Sequence, residues 1–121
     1  MSGGIPLGYR FEWVFDPATG SGAIATATAP GVRFRLLRVE LHLSAAGTTA
    51  ENFTVTRDAG DGPAYDTVLH KEDLSVGAIT DLVIIFGKGY EFEADDEIDC
   101  AWANTEARVY GITVVYERIM G

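Results

Sequence analysis

The chain has 121 residues, of which 47% are hydrophobic and 22% are charged, a balance typical of one globular domain and not of a disordered chain. Its 18 acidic and 9 basic residues give a net charge of −9, which would repel nucleic acids and anionic membranes. A chain of this length can bury an apolar core without disulfides, and its single cysteine cannot form one within the chain.

The first residues are typical of an arm that precedes a domain. Residues 1–7 are rich in glycine and contain Pro6, and they lack the basic start and apolar run of a signal peptide. We therefore predict a flexible N-terminal arm over residues 1–7 and a single domain over residues 8–121. No segment approaches the roughly 18 apolar residues that a membrane-spanning helix requires.

Alternation of apolar and polar residues predicts β-strands from the start of the domain. Aromatic side chains share one face of the first strand, namely Tyr9, Phe11, Trp13 and Phe15. Residues 16–20 predict a turn, and residues 21–29 predict a strand of small side chains. Between residues 32 and 43 the apolar positions change parity at Leu36 and Leu37, which indicates a β-bulge or a strand that passes between two packing surfaces.

The second half of the chain continues the pattern. Strands are predicted over residues 53–56, 65–70, 82–86, 98–102 and 109–119. The run at 82–86 is apolar throughout, which is typical of a strand buried on both faces. Turns are predicted at residues 58–63 and 87–89, and one helical turn is predicted near residues 71–73.

These elements predict an all-β fold. About eight strands follow one another at short, fairly even spacing, separated by turns of Gly, Pro, Asp and Asn, and no stretch has a sustained helical period. That pattern indicates an antiparallel sandwich or barrel. Of these we expect a jelly-roll-like β-sandwich.

Two acidic loops are candidate cation sites. Asp58, Asp61 and Asp66 place carboxylates on a glycine-rich turn, and calcium takes oxygen ligands of this kind. The loop lacks the EF-hand spacing and its closing glutamate, so a plain hairpin loop is favoured and no cofactor is predicted. A second acidic group at residues 95–99 is expected to be a solvated turn and strand edge, with Glu97 and Asp99 on one face.

Patterns that carry catalysis are missing from the sequence. Cys100 lies in an alternating run beside acidic and apolar residues, which is typical of a buried, inert thiol. His42 and His70 lack the paired spacing of zinc ligands and are expected at polar or edge positions. Because no nucleophile motif or phosphate-binding loop is found, we predict a protein that is not an enzyme and rank a small hydrolase last.

A family resemblance rests on four segments of the second half. They are Tyr65–Leu69, Tyr90–Ile98, Ala101–Thr105 and the closing strand from Tyr110 to Val114. Over residues 65–116 the chain resembles small β-sandwich virion proteins of tailed bacteriophages, which decorate capsids or form fibres. The stretch at 92–98 is also similar to a turn found in trimeric jelly rolls, with Asp95 where that turn usually has glycine.

The resemblance implies a mechanical role. The chain would be a capsid decoration or cement subunit that self-associates, with a trimer favoured, and that binds the major capsid protein or another virion protein. It would be located in the virion after assembly in the host cytoplasm. Interface candidates come from the arm and the first strand: Ile5, Leu7, Tyr9, Phe11 and Trp13.

The alternative is a carbohydrate-binding module of a host-recognition fibre. Exposed, coplanar aromatic rings beside Asp58, Asp61 or Asp66 would support that alternative, because sugars stack on flat aromatic platforms. Neither nucleic acid nor a membrane is expected as a partner.

Overall fold

The computed structural model describes residues 10–120, which form eight β-strands. The strands are β1 (Arg10–Gly20), β2 (Ile24–Thr28), β3 (Phe34–Leu43), β4 (Asn52–Asp58), β5 (Thr67–Asp73), β6 (Asp81–Phe92), β7 (Glu97–Trp102) and β8 (Tyr110–Met120). A short 3₁₀ helix at Pro63–Tyr65 connects β4 to β5. Over residues 10–120, no helix is long and apolar enough to cross a membrane. The predicted arm over residues 1–7 lies outside the described residues and stays a prediction.

The strands form two antiparallel sheets of four strands each. Sheet A has the order β1-β8-β3-β6, and sheet B has the order β2-β7-β4-β5. Most connections cross from one sheet to the other, which is the strand order of an eight-stranded jelly roll. The predicted all-β, jelly-roll-like sandwich of about eight strands is confirmed.

The core lies between the inner faces of the two sheets. Strand β8 contributes the predicted alternating row, namely Tyr110, Ile112, Val114 and Tyr116, all of them buried. Phe34 stacks on Phe92 with ring centroids 4.6 Å apart, and sheet B supplies Phe53, Val55 and Trp102 from the opposite side. Apolar burial between the two sheets is therefore the main stabilising term of the fold.

The predicted parity change is a β-bulge in the pairing of β3 with β6. Leu36 pairs with Tyr90 and Arg38 pairs with Ile85, so residues 86–89 loop out of β6 opposite Leu37. The turn predicted at residues 87–89 is therefore wrong. Gly87 (φ 59°) and Gly89 (φ 110°) adopt left-handed conformations that let the strand leave the ladder and resume it, whereas other residues would be strained there.

Three further local predictions are wrong. Residues 16–20 continue β1 instead of turning. Pro17 has no backbone N–H to donate, but β1 is an edge strand with no neighbouring strand on one side, so the missing donor is tolerated there. Residues 71–73 end β5 and are not helical, and the 3₁₀ turn lies earlier, at Pro63–Tyr65. Strand β5 accordingly starts at Thr67, two residues later than predicted.

The apolar run at residues 82–86 is buried on one face only, so the prediction of burial on both faces is wrong. Leu82, Ile84 and Phe86 pack against the core, but Val83 and Ile85 are exposed. Among residues 10–120, no layer lies over the outer surface of sheet A.

Candidate functional site

The outer surface of sheet A, named here the aromatic face, carries side chains in four rows across β1, β8, β3 and β6. The rows are Trp13–Glu117–Arg35–Glu91, Phe15–Val115–Arg38–Ile85, Pro17–Thr113–Glu40–Val83 and Thr19–Gly111–His42–Asp81. Four large apolar side chains on it are exposed: Trp13 (56%), Phe15 (56%), Val83 (57%) and Ile85 (70%). They lie in two pairs at opposite edges of the sheet, Trp13 and Phe15 on β1 and Val83 and Ile85 on β6, with the mainly polar side chains of β8 and β3 between them. Each pair is an exposed apolar patch of the kind that marks a contact surface.

Arginines fix the aromatic rings of this face from one side. The Arg38 guanidinium lies 5.7 Å from the ring centroid of Phe15 and so covers Val115, which is 0% exposed although it points away from the main core. Arg35 lies 5.4 Å from the ring of Phe11 and binds Glu117 at 2.8 Å. These contacts order the rings while leaving much of their surface free for a partner.

Of the five predicted interface residues, the structure describes Phe11 and Trp13. Phe11 and Trp13 lie on β1, and the Trp13 indole donates a hydrogen bond to Glu117 at 3.1 Å. Ile5, Leu7 and Tyr9 lie outside the described residues. Sequence reasoning missed Val83 and Ile85, because an unbroken apolar run does not show which of its faces is covered.

A shallow hollow opens on the aromatic face around Gly111. It has a volume of about 500 Å³ and is lined by Glu40, His42, Asp81 and Thr113, among others. His42 Nδ1 lies 2.7 Å from Asp81 Oδ1, and this hydrogen bond lowers the pKa of Asp81. Within residues 10–120, no hydroxyl or thiol hydrogen-bonds His42, so the pair has no attached nucleophile of the kind that a catalytic triad requires.

On the opposite surface, the outer face of sheet B, three carboxylates come together. Asp58 pairs with Glu97 across β4 and β7, and the side chains of Asp58, Glu97 and Asp99 offer oxygens within 4.8 Å of one another. Partial burial, followed by repulsion from Glu97 and Asp58, raises the pKa of Asp99 to about 7. One carboxylate oxygen of Asp99 is buried without a hydrogen-bond partner among the described residues.

The predicted calcium candidates are not brought together. In the part of the chain that the structure describes, the group of three possible metal ligands contains Asp58 but neither Asp61 nor Asp66. Asp66 instead accepts a hydrogen bond from the Ala59 amide at 2.9 Å and closes the turn between β4 and the 3₁₀ helix.

Asp96 differs from the solvated residue that the sequence predicted. It is 3% exposed and accepts hydrogen bonds from the amides of Gly60 and Glu93, each at 2.9 Å, and from Arg57 at 3.0 Å. Burial by itself would raise the pKa of Asp96, but these bonds outweigh it and lower the pKa. The prediction of a solvated turn is wrong at this position, because the carboxylate ties the loop after β4 to the turn between β6 and β7.

Cys100 lies in the core on the inner face of β7 and is 1% exposed. Burial raises the pKa of its thiol to about 11, so the thiol stays protonated and weakly nucleophilic at neutral pH. The predicted burial of Cys100 is confirmed.

A comparison of the chain with protein-family models found no match, and a comparison with curated proteins found none either. The aromatic face, the carboxylate group and the jelly-roll frame are therefore the features that bear on function.

Proposed function

We propose that the chain is a structural, non-enzymatic subunit of a virion that decorates or cements a capsid. It associates with other copies of itself and binds the capsid surface, where the major capsid protein is its partner. The resemblance of residues 65–116 to such proteins favours a trimer. The protein would act in the virion after assembly in the host cytoplasm.

The observation that carries the proposal is an eight-stranded jelly roll with an exposed, ordered apolar surface. Jelly rolls occur in viral capsid proteins. Trp13, Phe15, Val83 and Ile85 expose apolar area on sheet A, and burying such area in an assembly supplies the binding free energy. A structural subunit needs such a surface more than it needs a cleft, and the hollows on this sandwich are shallow and open.

Sedimentation with capsids tests the proposal. The purified chain is mixed with empty capsids assembled from the major capsid protein of the same genome and is then pelleted. We expect saturable binding at a fixed number of copies per capsid protein. A chain that stays in the supernatant at every ratio, or a source genome without a major capsid gene, would contradict the proposal. An unrelated acidic protein of similar size controls for trapping in the pellet.

Deletion of residues 1–7 tests the predicted arm separately. We expect weaker capsid binding with an unchanged thermal melt, since the deleted residues precede β1 and the described sandwich. Capsid binding equal to that of the full chain would contradict a role for the arm and would leave the capsid proposal intact.

Carbohydrate binding is the second candidate, supported by the exposed Tyr65, which neighbours Asp66 on the 3₁₀ turn. A jelly roll is also a lectin fold. The rings of Trp13 and Phe15 are tilted by 40° and lie on sheet A, away from Asp58 on sheet B, so they do not form the flat platform beside the acidic loop. Binding to a glycan array that Tyr65→Ala abolishes would favour this candidate.

A further inference from the structure

We propose that the aromatic face binds the same face of a second copy of this chain, related by a twofold axis parallel to the strands and passing between β8 and β3. This inference rests on the self-association part of the proposed function, but it assigns a twofold pair where the resemblance favours a trimer. It differs from that proposal in naming the surface, its occupant and the pairing of the residues.

The apolar part of the face matches itself under this rotation. The axis exchanges the two central strands and places β1 of one copy over β6 of the other, with every row kept at its own height. Phe15 then lies over Ile85 of the second copy, and Pro17 lies over Val83 of the second copy, given the rows of the sheet. The β1 edge of each copy, with Phe15, thus covers the β6 edge of the other, with Ile85. This contact occurs twice in the dimer and buries the side chains that are exposed on a single copy.

The charges of the face also match. Glu117 lies over Arg35 of the second copy, and Arg35 lies over its Glu117, because β8 and β3 exchange places in the same row. The other carboxylates of the face, Glu40, Asp81 and Glu91, lie over Thr113, Thr19 and Trp13 of the second copy. No like charges meet, which matters for two molecules that each carry a net charge of −9.

Net charge also differs between the two sheets. The strands of sheet A contain five basic and six acidic residues, whereas the strands of sheet B contain two basic and five acidic residues. On the four rows of the aromatic face itself, two arginines lie among four carboxylates, and Arg35 and Arg38 each bind one of them. Two copies meeting through sheet A keep the more acidic strands of sheet B apart.

The area is sufficient for a stable contact. Four strands about 4.8 Å apart, with about ten residues each rising about 3.3 Å, give a face of about 650 Å². Standard interfaces bury about 600 to 1,000 Å² on each partner, so this face lies at the lower end of that range. The outer face of sheet B is smaller, since its strands have 5 to 7 residues, and it presents Asp58, Glu97 and Asp99, whose mutual repulsion a second copy would increase.

A charge-complementation experiment tests the pairing. In a pair of Arg35→Glu chains, the new carboxylate at position 35 lies over Glu117 of the second copy. In a pair of Glu117→Arg chains, the new guanidinium group at position 117 lies over Arg35 of the second copy. Because like charges then meet across the axis, each variant is expected to remain monomeric by light scattering on a sizing column, and each also loses the Arg35–Glu117 bond within its own chain. A mixture of the two is expected to form a heterodimer of twice the 13.0 kDa chain mass, because unlike charges then meet across the axis.

Dimer formation by the mixture shows that Arg35 and Glu117 act between chains and not only within one chain, because mixing the two variants cannot restore a bond within either chain. Ile85→Asp is the apolar counterpart, and it is expected to raise the dissociation constant of the wild-type pair at least about tenfold. Val68→Asp is the matched control, because Val68 has a similar exposure (55%) on edge strand β5 of sheet B and is expected to leave the pair intact. Thermal melts show that the variants are folded.

The outcomes separate this inference from the capsid proposal. A wild-type chain that is monomeric at millimolar concentration, that forms a trimer unaffected by Ile85→Asp, or whose two charge variants do not rescue each other overturns the twofold pairing. Capsid binding by such a chain still supports the capsid proposal. A dimer with full charge rescue that never binds capsids supports the pairing and overturns the capsid proposal.

Discussion

The two outer faces of the sandwich have opposite chemistry, although the inner faces of the same sheets are equally apolar. The outer face of sheet A exposes aromatic and aliphatic side chains between paired arginines and glutamates. That of sheet B presents small residues, Ala27 and Thr56 among them, in one row with Asp99. The difference shows that one side of the molecule is suited to burial and the other to remaining in water.

The faces also differ in how their polar groups are satisfied. On sheet A, Arg35 and Arg38 each bind a carboxylate of the same face. On sheet B, Asp99 is partly buried among like charges, and burial first and the neighbouring carboxylates second raise its pKa to about 7. The carboxylate Asp96, at the loop end of β7, by contrast accepts hydrogen bonds from two amides and from Arg57.

Asp96→Ala is expected to lower the free energy of unfolding by about 3 kcal/mol, because it leaves Arg57 and two amides without their buried acceptor. Chemical denaturation measures the change. Asp95→Ala, at the exposed neighbouring residue, is the control and is expected to stay within about 0.5 kcal/mol of wild type. Equal effects of the two substitutions would show that Asp96 does not hold these loops together.

Val115→Ala tests whether the aromatic face has a small core of its own. Val115 is fully buried beneath Phe15 and Arg38, so removing its methyl groups is expected to cost about 2 kcal/mol. Val68→Ala, on the exposed outer edge of sheet B, is expected to cost less than about 0.5 kcal/mol in the same denaturation experiment. Similar losses at both positions would remove this distinction between the two faces.

Asp99→Asn is expected to stabilise the protein above pH 7. The pKa of Asp99 is raised from 3.8 to about 7 on folding, so the folded state binds the proton more tightly and the wild type loses stability as pH rises between these values. The variant should therefore unfold with a free energy higher by on the order of 2 kcal/mol at pH 8, and the difference should vanish near pH 4. Asp61→Asn, in the exposed loop, is the control, and an unstabilised Asp99→Asn at pH 8 would refute the repulsion.

The sequence predicted the strands well where alternation was regular and failed where a strand met its edge or its bulge. The row from Tyr110 to Tyr116 alternates cleanly, and its burial followed from the pattern. Pro17 and the pair Gly87 and Gly89 are turn residues by local preference, yet they lie within strands. Pro17 is tolerated because it lies on an edge strand, and the two glycines form a bulge opposite Leu37. Both features depend on which strand lies alongside, and the conformational preference of a single residue does not specify that.

The candidate sites were predicted less completely than the fold. Asp58, Asp61 and Asp66 are close in sequence, but the ladder between β4 and β7 brings Asp58 to Glu97 and Asp99 instead. Phe11 and Trp13 were found through the alternation of β1, whereas Val83 and Ile85 were hidden in an apolar run. Partners that are distant along the chain meet only through strand pairing, which a single sequence does not specify.

Side-chain periodicity and composition over a few residues predicted the all-β class, the parity change at Leu36 and Leu37 and the burial of Cys100, and they favoured a jelly-roll-like sandwich over other antiparallel folds. The tertiary structure decided which apolar residues remain exposed, which carboxylates repel one another, and that Asp96 is buried and accepts several hydrogen bonds. The physical reason is that exposure and charge pairing depend on what lies across the sheet, and the pairing of β1, β8, β3 and β6 alone placed Phe15 and Ile85 in one row.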